Sequence, residues 1–352
     1  MMEKTGQPTI NDVARIAGVS KKTVSRVINR SPLLNDDTRK KVEAVIGQLG
    51  YIPNPQARAL ALGRNFLIGL VHDNPNAQIV MSVQQGMLEA IHGTEFEMVV
   101  RPLDRGSATM IEDLRHFLER RRLFGVLLMP PISENDAIAG LCADIGCRYV
   151  RMGSAALDAP DHMVASNDRE AACEAAHYLI AQGHRRIGLV AGPHGFRSAR
   201  ERRLGFEDAM RDAGIALPRS LIAEGGYAFE SGLIAAGRLL AVAPRPTAIF
   251  ACNDEMAAGA IHAAGRSGLN VPRDLSVIGF DDTPIAAHIW PPLTTMRWPI
   301  ASMARSAALK LITGIPGNDD DSVVREPWMF RSTLIRRSSV APPADCPLLA
   351  SG

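Results

Sequence analysis

Residues 9–30 read TINDVARIAGVSKKTVSRVINR, and this stretch decides the fold of the N-terminal end. Thr9-Ile10-Asn11-Asp12 has the form of a capping box, with Thr9 at the cap and Asp12 reaching back as a shorter stand-in for Glu. Val13, Ile16 and Ala17 follow at helical spacing. Gly18 then interrupts the pattern, and glycine takes the positive φ of a tight helix-to-helix turn without a Cβ penalty. Ser20 caps a second helix over residues 21–29. One face of that helix carries Val24, Val27 and Ile28; the other carries Lys21, Lys22, Ser25, Arg26 and Asn29. Cationic and amide side chains so placed suit a recognition helix in the major groove of DNA. Lys and Arg donate to guanine O6 and N7, while Ser, Thr and Asn suit phosphates. An ordinary three-helix bundle with a basic face has the same periodicity, but the full string IxDVAxxAGVSxxTVSRVIN is far more specific than periodicity. A third helix runs over Asp36–Leu49, capped by Asn35 and ended by Gly50.

Charge agrees with a nucleic-acid contact at this end. The net charge is only +2, yet residues 1–65 hold eleven Lys/Arg against five Asp/Glu, and the remainder is acidic by four. A basic head on a mildly acidic body fits that partner, although a solvated basic surface would look alike. The five cysteines, Cys142, Cys147, Cys173, Cys252 and Cys346, are odd in number and show no CxxC or Cys/His metal spacing. They read as reduced thiols, with no metal ligands and no cofactor expected. No signal-peptide core and no run of about 18 apolar residues is present, so a cytoplasmic protein without a membrane partner is expected.

On these motifs residues 9–60 resemble the DNA-binding head of the lactose-repressor/galactose-repressor family, continuing through DTRKKVEAVIGQLGYIPNPQARAL. The resemblance implies that Lys21, Lys22 and Arg26 read bases and that Thr9, Ser20, Thr23, Ser25, Asn29 and Thr38 touch phosphates. Tyr51 belongs to the same DNA-facing set. Asn54 followed by Pro55 reads as the start of a hinge helix. Two turns of helix are marginal in water, so this helix is expected to form only when supported. The resemblance makes Leu60 a wedge between base steps and sets Arg58 near phosphates; a linker leucine packed on the core is the plain alternative.

From Phe66 onward apolar runs alternate with helical stretches: FLIGLV, FEMVVRP, FGVLLMP, CRYVRM, RIGLVAG, TAIFACN and LSVIGFDD are strand-like. Such alternation implies parallel sheets covered by helices, with ligands bound beyond the carboxyl ends of the strands. Polar residues recur there: Asp73 and Asn76, Arg151, Arg200 with Arg202 and Arg203, Asn253-Asp254, and Asp281-Asp282. Each alone reads equally as a helix cap or ion pair; together they form a carboxylate, amide and guanidinium set suited to a polyhydroxylated ligand.

The body is similar to the same family's effector domain, itself like periplasmic sugar-binding proteins, on GHRRIGLVAGP, RxxGFEDAM, FACNDEMAAGA, VPRDLSVIGFDD and WPPLTTMRWP. By that resemblance Arg202, Asn253 and Asp281 are the polar clamp, Tyr227 a stacking ring, Asp73 a contact from the first lobe and Trp298 an apolar wall. Arg151 stands where some members carry an acid, which favours carboxylate or phosphate ligands as much as a sugar.

The expected fold is an all-α helix-turn-helix domain followed by an α/β two-lobed, periplasmic-binding-protein-like domain with parallel sheets. The boundaries drawn are 1–50 for the DNA-binding head, 51–64 for hinge and linker, and 65–337 for the effector-binding and dimerisation domain. The first lobe takes 65–164 plus 294–323, and the second takes 165–293 plus 324–337. A Pro-rich disordered tail is expected at 338–352. The expected function is a homodimeric repressor of carbohydrate-utilisation genes, released from a palindromic operator in double-stranded DNA by a small-molecule effector such as a sugar or glycoside. The alternatives are a solute-binding protein without a transcriptional role and a corepressor-dependent regulator of a non-sugar pathway. Enzymatic activity is not expected: GxxxxGK[ST], GxSxG and HExxH are all missing.

Overall fold

The computed structural model describes residues 8–28, 34–51, 65–313 and 327–343, and the chain divides into compact units at 1–66 and 67–352. In the first unit, α1 (Ile10–Ala17), α2 (Lys21–Ile28) and α3 (Asp36–Leu49) enclose a core of Val13, Ala14, Ala17, Val24, Val27, Val42 and Val45. Asp12 accepts from the Thr9 amide at 3.0 Å and from its hydroxyl at 2.7 Å, closing the first turn. Gly18 sits at φ +62° and turns the chain into α2. Ser20 Oγ accepts the Thr23 amide at 3.1 Å, and Asn35 Oδ1 accepts the Asp37 amide at 2.8 Å, so each following helix opens on a side-chain cap.

The second unit holds two parallel sheets, one per lobe. The first-lobe sheet has the order β11-β5-β4-β3-β1-β2, with β1 Leu67–His72, β2 Glu97–Pro102, β3 Gly125–Leu128, β4 Arg148–Gly153, β5 Met163–Ser166 and β11 Met329–Phe330. The helices α4 (Ala77–Ile91), α5 (Met110–Arg121), α6 (Asp136–Asp144) and α12 (Ile300–Thr313) belong to this lobe. The second-lobe sheet has the order β12-β10-β9-β8-β6-β7, with β6 Ile187–Ala191, β7 Ile222–Glu224, β8 Ala248–Ala251, β9 Ser276–Asp281, β10 Thr294–Arg297 and β12 Thr333–Ile335. Its helices are α7 (Asp168–Ala181), α8 (Arg197–Asp212), α9 (Phe229–Leu240), α10 (Asp254–Arg266) and the short α11 (Pro284–His288). Among the described strands only β12 runs antiparallel to its neighbour, β10.

The crossovers between lobes differ from the sequence reading. Thr294–Arg297 pairs with β9 in the second lobe, so the chain leaves that lobe at Trp298 and not at Leu293. Met329 and Phe330 pair with Ala165 and Ser166 in the first lobe, so the last return falls after Phe330 and not at Val324. The expected tail boundary is also corrected. Ser339 is fully buried, donates to the Val277 carbonyl at 2.6 Å and accepts the Thr294 amide at 2.8 Å. The Ala341 carbonyl takes hydrogen bonds from the His184 ring and the Ser276 hydroxyl. Residues 338–341 are thus strapped to the sheet, because small polar side chains there satisfy buried backbone groups that composition does not reveal.

Candidate functional site

On the head, Lys21, Lys22 and Arg26 are exposed on one side of α2, while Val24 and Val27 are buried on the other. Ser20 and Thr23 share a hydroxyl contact of 2.9 Å at the start of α2. Thr9 and Ser20 are exposed, and Thr23, Ser25, Thr38 and Tyr51 are half-buried. Three cations lie on the solvent side of an eight-residue helix backed by a packed core, a placement suited to donating to base edges and phosphates. Asn29, Asn54, Arg58 and Leu60, with the expected hinge helix, lie outside the described residues.

Between the lobes a closed cleft is lined by Asn76, Ser154, Arg202, Tyr227, Asn253, Asp281 and Trp298, with Pro130, Phe196 and Ser198 beside them. Arg202 is its centre and is only 3% exposed. Its Nε donates to Asp168 at 2.8 Å, and one terminal nitrogen donates to Asp281 at 3.0 Å and to the Cys252 carbonyl at 2.6 Å. The guanidinium lies 3.7 Å over the Phe280 ring and 5.6 Å from Trp298. Two carboxylates and one guanidinium leave an excess negative charge in a dry site. Burial therefore raises the Asp281 carboxyl to about 7, with Arg202 opposing and Asp168 reinforcing the shift. Arg202 stays charged, because the same two carboxylates outweigh its own burial.

Local backbone geometry aims these groups. Asp281 and Tyr227 both hold positive φ, at +109° and +62°; such conformations cost about 1–3 kcal/mol and cluster at functional sites. The Tyr227 hydroxyl lies 3.0 Å from Ser198 Oγ, and its carbonyl accepts Asn253 Nδ2 at 3.0 Å. Its ring packs where a Cβ on Gly192 would come within 2.7 Å, so that glycine makes room for it. Phe196 meets the Tyr227 ring edge-on at 5.6 Å.

The cap and ligand readings of the strand-end residues coexist. Asn76 Oδ1 accepts the amides of Gln78 and Ile79, and Asn253 Oδ1 accepts that of Met256, while both residues line the cleft. Ser154 is different: its hydroxyl is buried in the cleft wall and has no hydrogen-bond partner among the described residues. Sequence reasoning missed Ser154, Pro130 and Phe196, which sit on loops after strands, and Ser198 in the first turn of α8; none carries a motif.

Two of the expected effector residues are placed elsewhere. Arg151 is buried, giving its hydrogens to the carbonyls of Ser133 and Leu157 and to Asp136, with Asp158 at 3.7 Å. Asp73 is paired with Arg105 at 2.6 Å, and reaches the cleft only through the Arg105 guanidinium, 4.6 Å over the Phe196 ring. Asp254 is fully buried against Thr283 and Thr295, and Asp282 binds Arg297 and Arg337. Arg203 pairs with Glu207, and Arg200 and Arg203 line a larger open concavity of about 980 Å³ bordered by α8, the loop after β6, and Glu134 and Leu157 of the first lobe. That concavity carries charges of both signs on its rim, whereas the polar groups converge in the cleft. The cleft itself holds about 50 Å³, well below the roughly 300–1,000 Å³ of small-molecule sites. A small-molecule ligand would fit this cleft only if the lobes parted. What holds them together includes Glu134 of the first lobe, whose carboxylate accepts the Arg197 amide at the first turn of α8 at 3.1 Å.

Comparison with known proteins matches this arrangement. Residues 9–54 match the model of the bacterial regulatory proteins of the lacI family, and residues 176–340 match a periplasmic binding protein-like domain. The probable transcriptional repressor ExuR of Bacillus subtilis is 33% identical over 87% of this chain and 91% of its own length. The chain belongs to the LacI family. The regulator GalS of Salmonella typhimurium is 36% identical over 95% of this chain and 96% of its own. Among solved structures, a Lac repressor dimer bound to operator and an anti-inducer superposes with a TM-score of 0.78 at 28% identity, covering 96% of this chain and all of that one. A complex of the regulator CelR with cellobiose gives 0.69 at 30% identity, covering 94% and 99%. This LacI-family chain is therefore a helix-turn-helix transcriptional regulator. Among the described residues no helix is long and apolar enough to cross a membrane.

Proposed function

We propose that this regulator acts in the cytoplasm as a homodimeric repressor of carbohydrate-utilisation genes, and that a sugar or glycoside in the interlobe cleft releases it from a near-palindromic operator. The observation that carries the ligand class is the cleft wall. A hydrogen-bonded Arg202–Asp281 pair and the Ser154 hydroxyl, without a partner among the described residues, stand beside the rings of Phe196, Tyr227 and Trp298. Directional donors and acceptors between aromatic faces suit a polyol with apolar C–H faces. A purely anionic ligand is disfavoured, because Asp168 and Asp281 already outnumber Arg202 and because Arg151 lies outside the cleft. The cellobiose-bound relative supports the same class. Pairing of two copies is assigned to the outer face of α4, where Met81 and Leu88 are exposed beside Gln84, Gln85 and His92.

A thermal-shift screen of the purified chain against sugars, glycosides and small acids tests the ligand class. A ligand at about 100 times its Kd adds roughly 2.7 kcal/mol of stability. Hits among sugars that vanish in Arg202→Ala support the reading. Hits confined to acids overturn the sugar assignment.

A further inference from the structure

Cys173 and His177 stand one helical turn apart on α7, and Asp212 ends α8. The sulfur, a ring nitrogen and a carboxylate oxygen of these residues all lie within 4.8 Å of one another. They come together because the two helices touch backbone to backbone at Gly205, where a Cβ would fall 2.0 Å from the Arg169 carbonyl and 3.0 Å from the Cys173 amide. Cys173 Sγ is 3.6 Å from His177 Nδ1. Two tetrahedral ligands of one zinc ion, at about 2.3 Å for sulfur and 2.0 Å for nitrogen, are themselves about 3.6 Å apart. The pair therefore already has the spacing of joint ligands.

The surrounding charges leave the third ligand available. Arg169 and Arg211 both pair with Asp208. Asp212 is left with one long contact of 4.0 Å to Arg211, and its side chain is largely exposed. Among the described cysteines, Cys173 alone is not buried.

We propose that Cys173, His177 and Asp212 form a three-ligand site for a divalent transition metal of the zinc class, with solvent in the remaining position. Thiolate and imidazole select zinc, cobalt or nickel over calcium and magnesium. Coordination replaces the Cys173 S–H bond by a sulfur–metal bond and releases the proton to solvent. The expectation of no metal ligands overlooked Cys173 and His177, an i,i+4 pair on one helix that gains its third ligand from the fold. The bound ion cross-links α7, which begins at the cleft's Asp168, to α8, which carries Arg202.

Cobalt(II) titration of the full metal-free chain tests this. One equivalent is expected to produce thiolate-to-cobalt absorption in the near ultraviolet, removed by added zinc. Cys173→Ser abolishes the band, and Cys346→Ser keeps it. Asp212→Asn and His177→Gln weaken binding by at least the roughly 10–100-fold that loss of an outer-shell partner costs a metal site. In parallel, zinc raises the unfolding temperature of the unmutated chain and of Cys346→Ser, and leaves that of Cys173→Ser unchanged. No thiolate band at one equivalent, a band that survives Cys173→Ser, or affinity indifferent to both Asp212→Asn and His177→Gln overturns the proposal.

Discussion

Trp298 Nε1 donates to Ser166 Oγ at 3.1 Å, joining two of the crossovers between the lobes. Ser166 Oγ in turn donates to Asp168 at 2.5 Å, and Asp168 holds Arg202. A hydrogen-bonded chain therefore runs from the hinge to the centre of the cleft. A ligand that moves either Trp298 or Arg202 acts directly on the segments that must bend when the lobes part. Trp298→Phe keeps the aromatic wall and removes the hinge bond. It is expected to cost about 0.5–1.5 kcal/mol of stability and to shrink the effector-induced change in operator affinity while ligand still binds. Calorimetry and operator titration on the same preparation separate the two effects. An unchanged effector response in this variant argues against the relay.

Ser154 gives a sharper test of the cleft. Its hydroxyl is buried without a partner, and an unsatisfied buried polar group is destabilising. Ser154→Ala should leave the ligand-free protein as stable as before or more so. The same variant should bind effector more weakly, by about 0.5–1.5 kcal/mol for one neutral hydrogen bond. Denaturant unfolding and calorimetry give the two signs; equal losses in both would make Ser154 merely structural.

Arg151 should behave in the opposite way. Its hydrogens satisfy the Ser133 and Leu157 carbonyls inside the first lobe. Arg151→Met is expected to cost about 1–3 kcal/mol of stability for the stranded acceptors. The exposed Asp136 adds little to that figure, since solvent screens it. Effector affinity at a temperature where the variant is folded should stay within about twofold. A selective loss of affinity for acidic ligands would restore Arg151 to the binding site.

Two buried groups give pH dependences of opposite sign in the second lobe. Burial lowers the His184 imidazole to about 4. Its stabilisation is complete above its ordinary value near 6.5 and is lost as pH falls through 4. Asp281 is raised to about 7, so its stabilisation is present below about 4 and is lost as pH rises through 7. Midpoint temperatures between pH 4 and 8 should show His184→Gln flattening the fall on the acid side. Asp281→Asn should flatten the fall on the neutral side. Parallel profiles for both variants and the unmutated chain would contradict these assignments.

Local chemistry made the head legible. Thr9, Gly18, Ser20, Asn35 and Gly50 cap or turn short helices through neighbours in sequence, so α3 begins and ends where its caps predict. Of the body strands, β1 to β4, β6, β8 and β9 were legible from their apolar runs, while the short β5 and β7 were not. The crossovers were not, because Thr294–Arg297 and Met329–Phe330 choose a sheet by pairing with distant strands. The same holds in the cleft. Arg202, Tyr227, Asn253 and Asp281 sit in motifs and line one cleft, whereas Ser154 and Phe196 carry no motif and join them only because two lobes meet there. Arg151 shows the converse error, since a strand-end guanidinium has no sequence signal for the carbonyls that will claim it. The tail misled because Pro-rich composition says nothing of Ser339 and its buried partners.

The central claim is that occupancy of the cleft sets the affinity of the head for DNA. It is tested most directly by fluorescence anisotropy on a labelled duplex enriched from a random pool, titrated with and without the ligand found by thermal shift. The unmutated chain should change operator affinity at least about fivefold on ligand saturation, a coupling of about 1 kcal/mol or more. Arg202→Ala should bind the duplex and ignore the ligand. Arg26→Ala should lose about 1–3 kcal/mol of sequence discrimination yet still bind the ligand. A ligand shown by calorimetry to bind through Arg202, with no effect on operator affinity in the unmutated chain, would contradict the account.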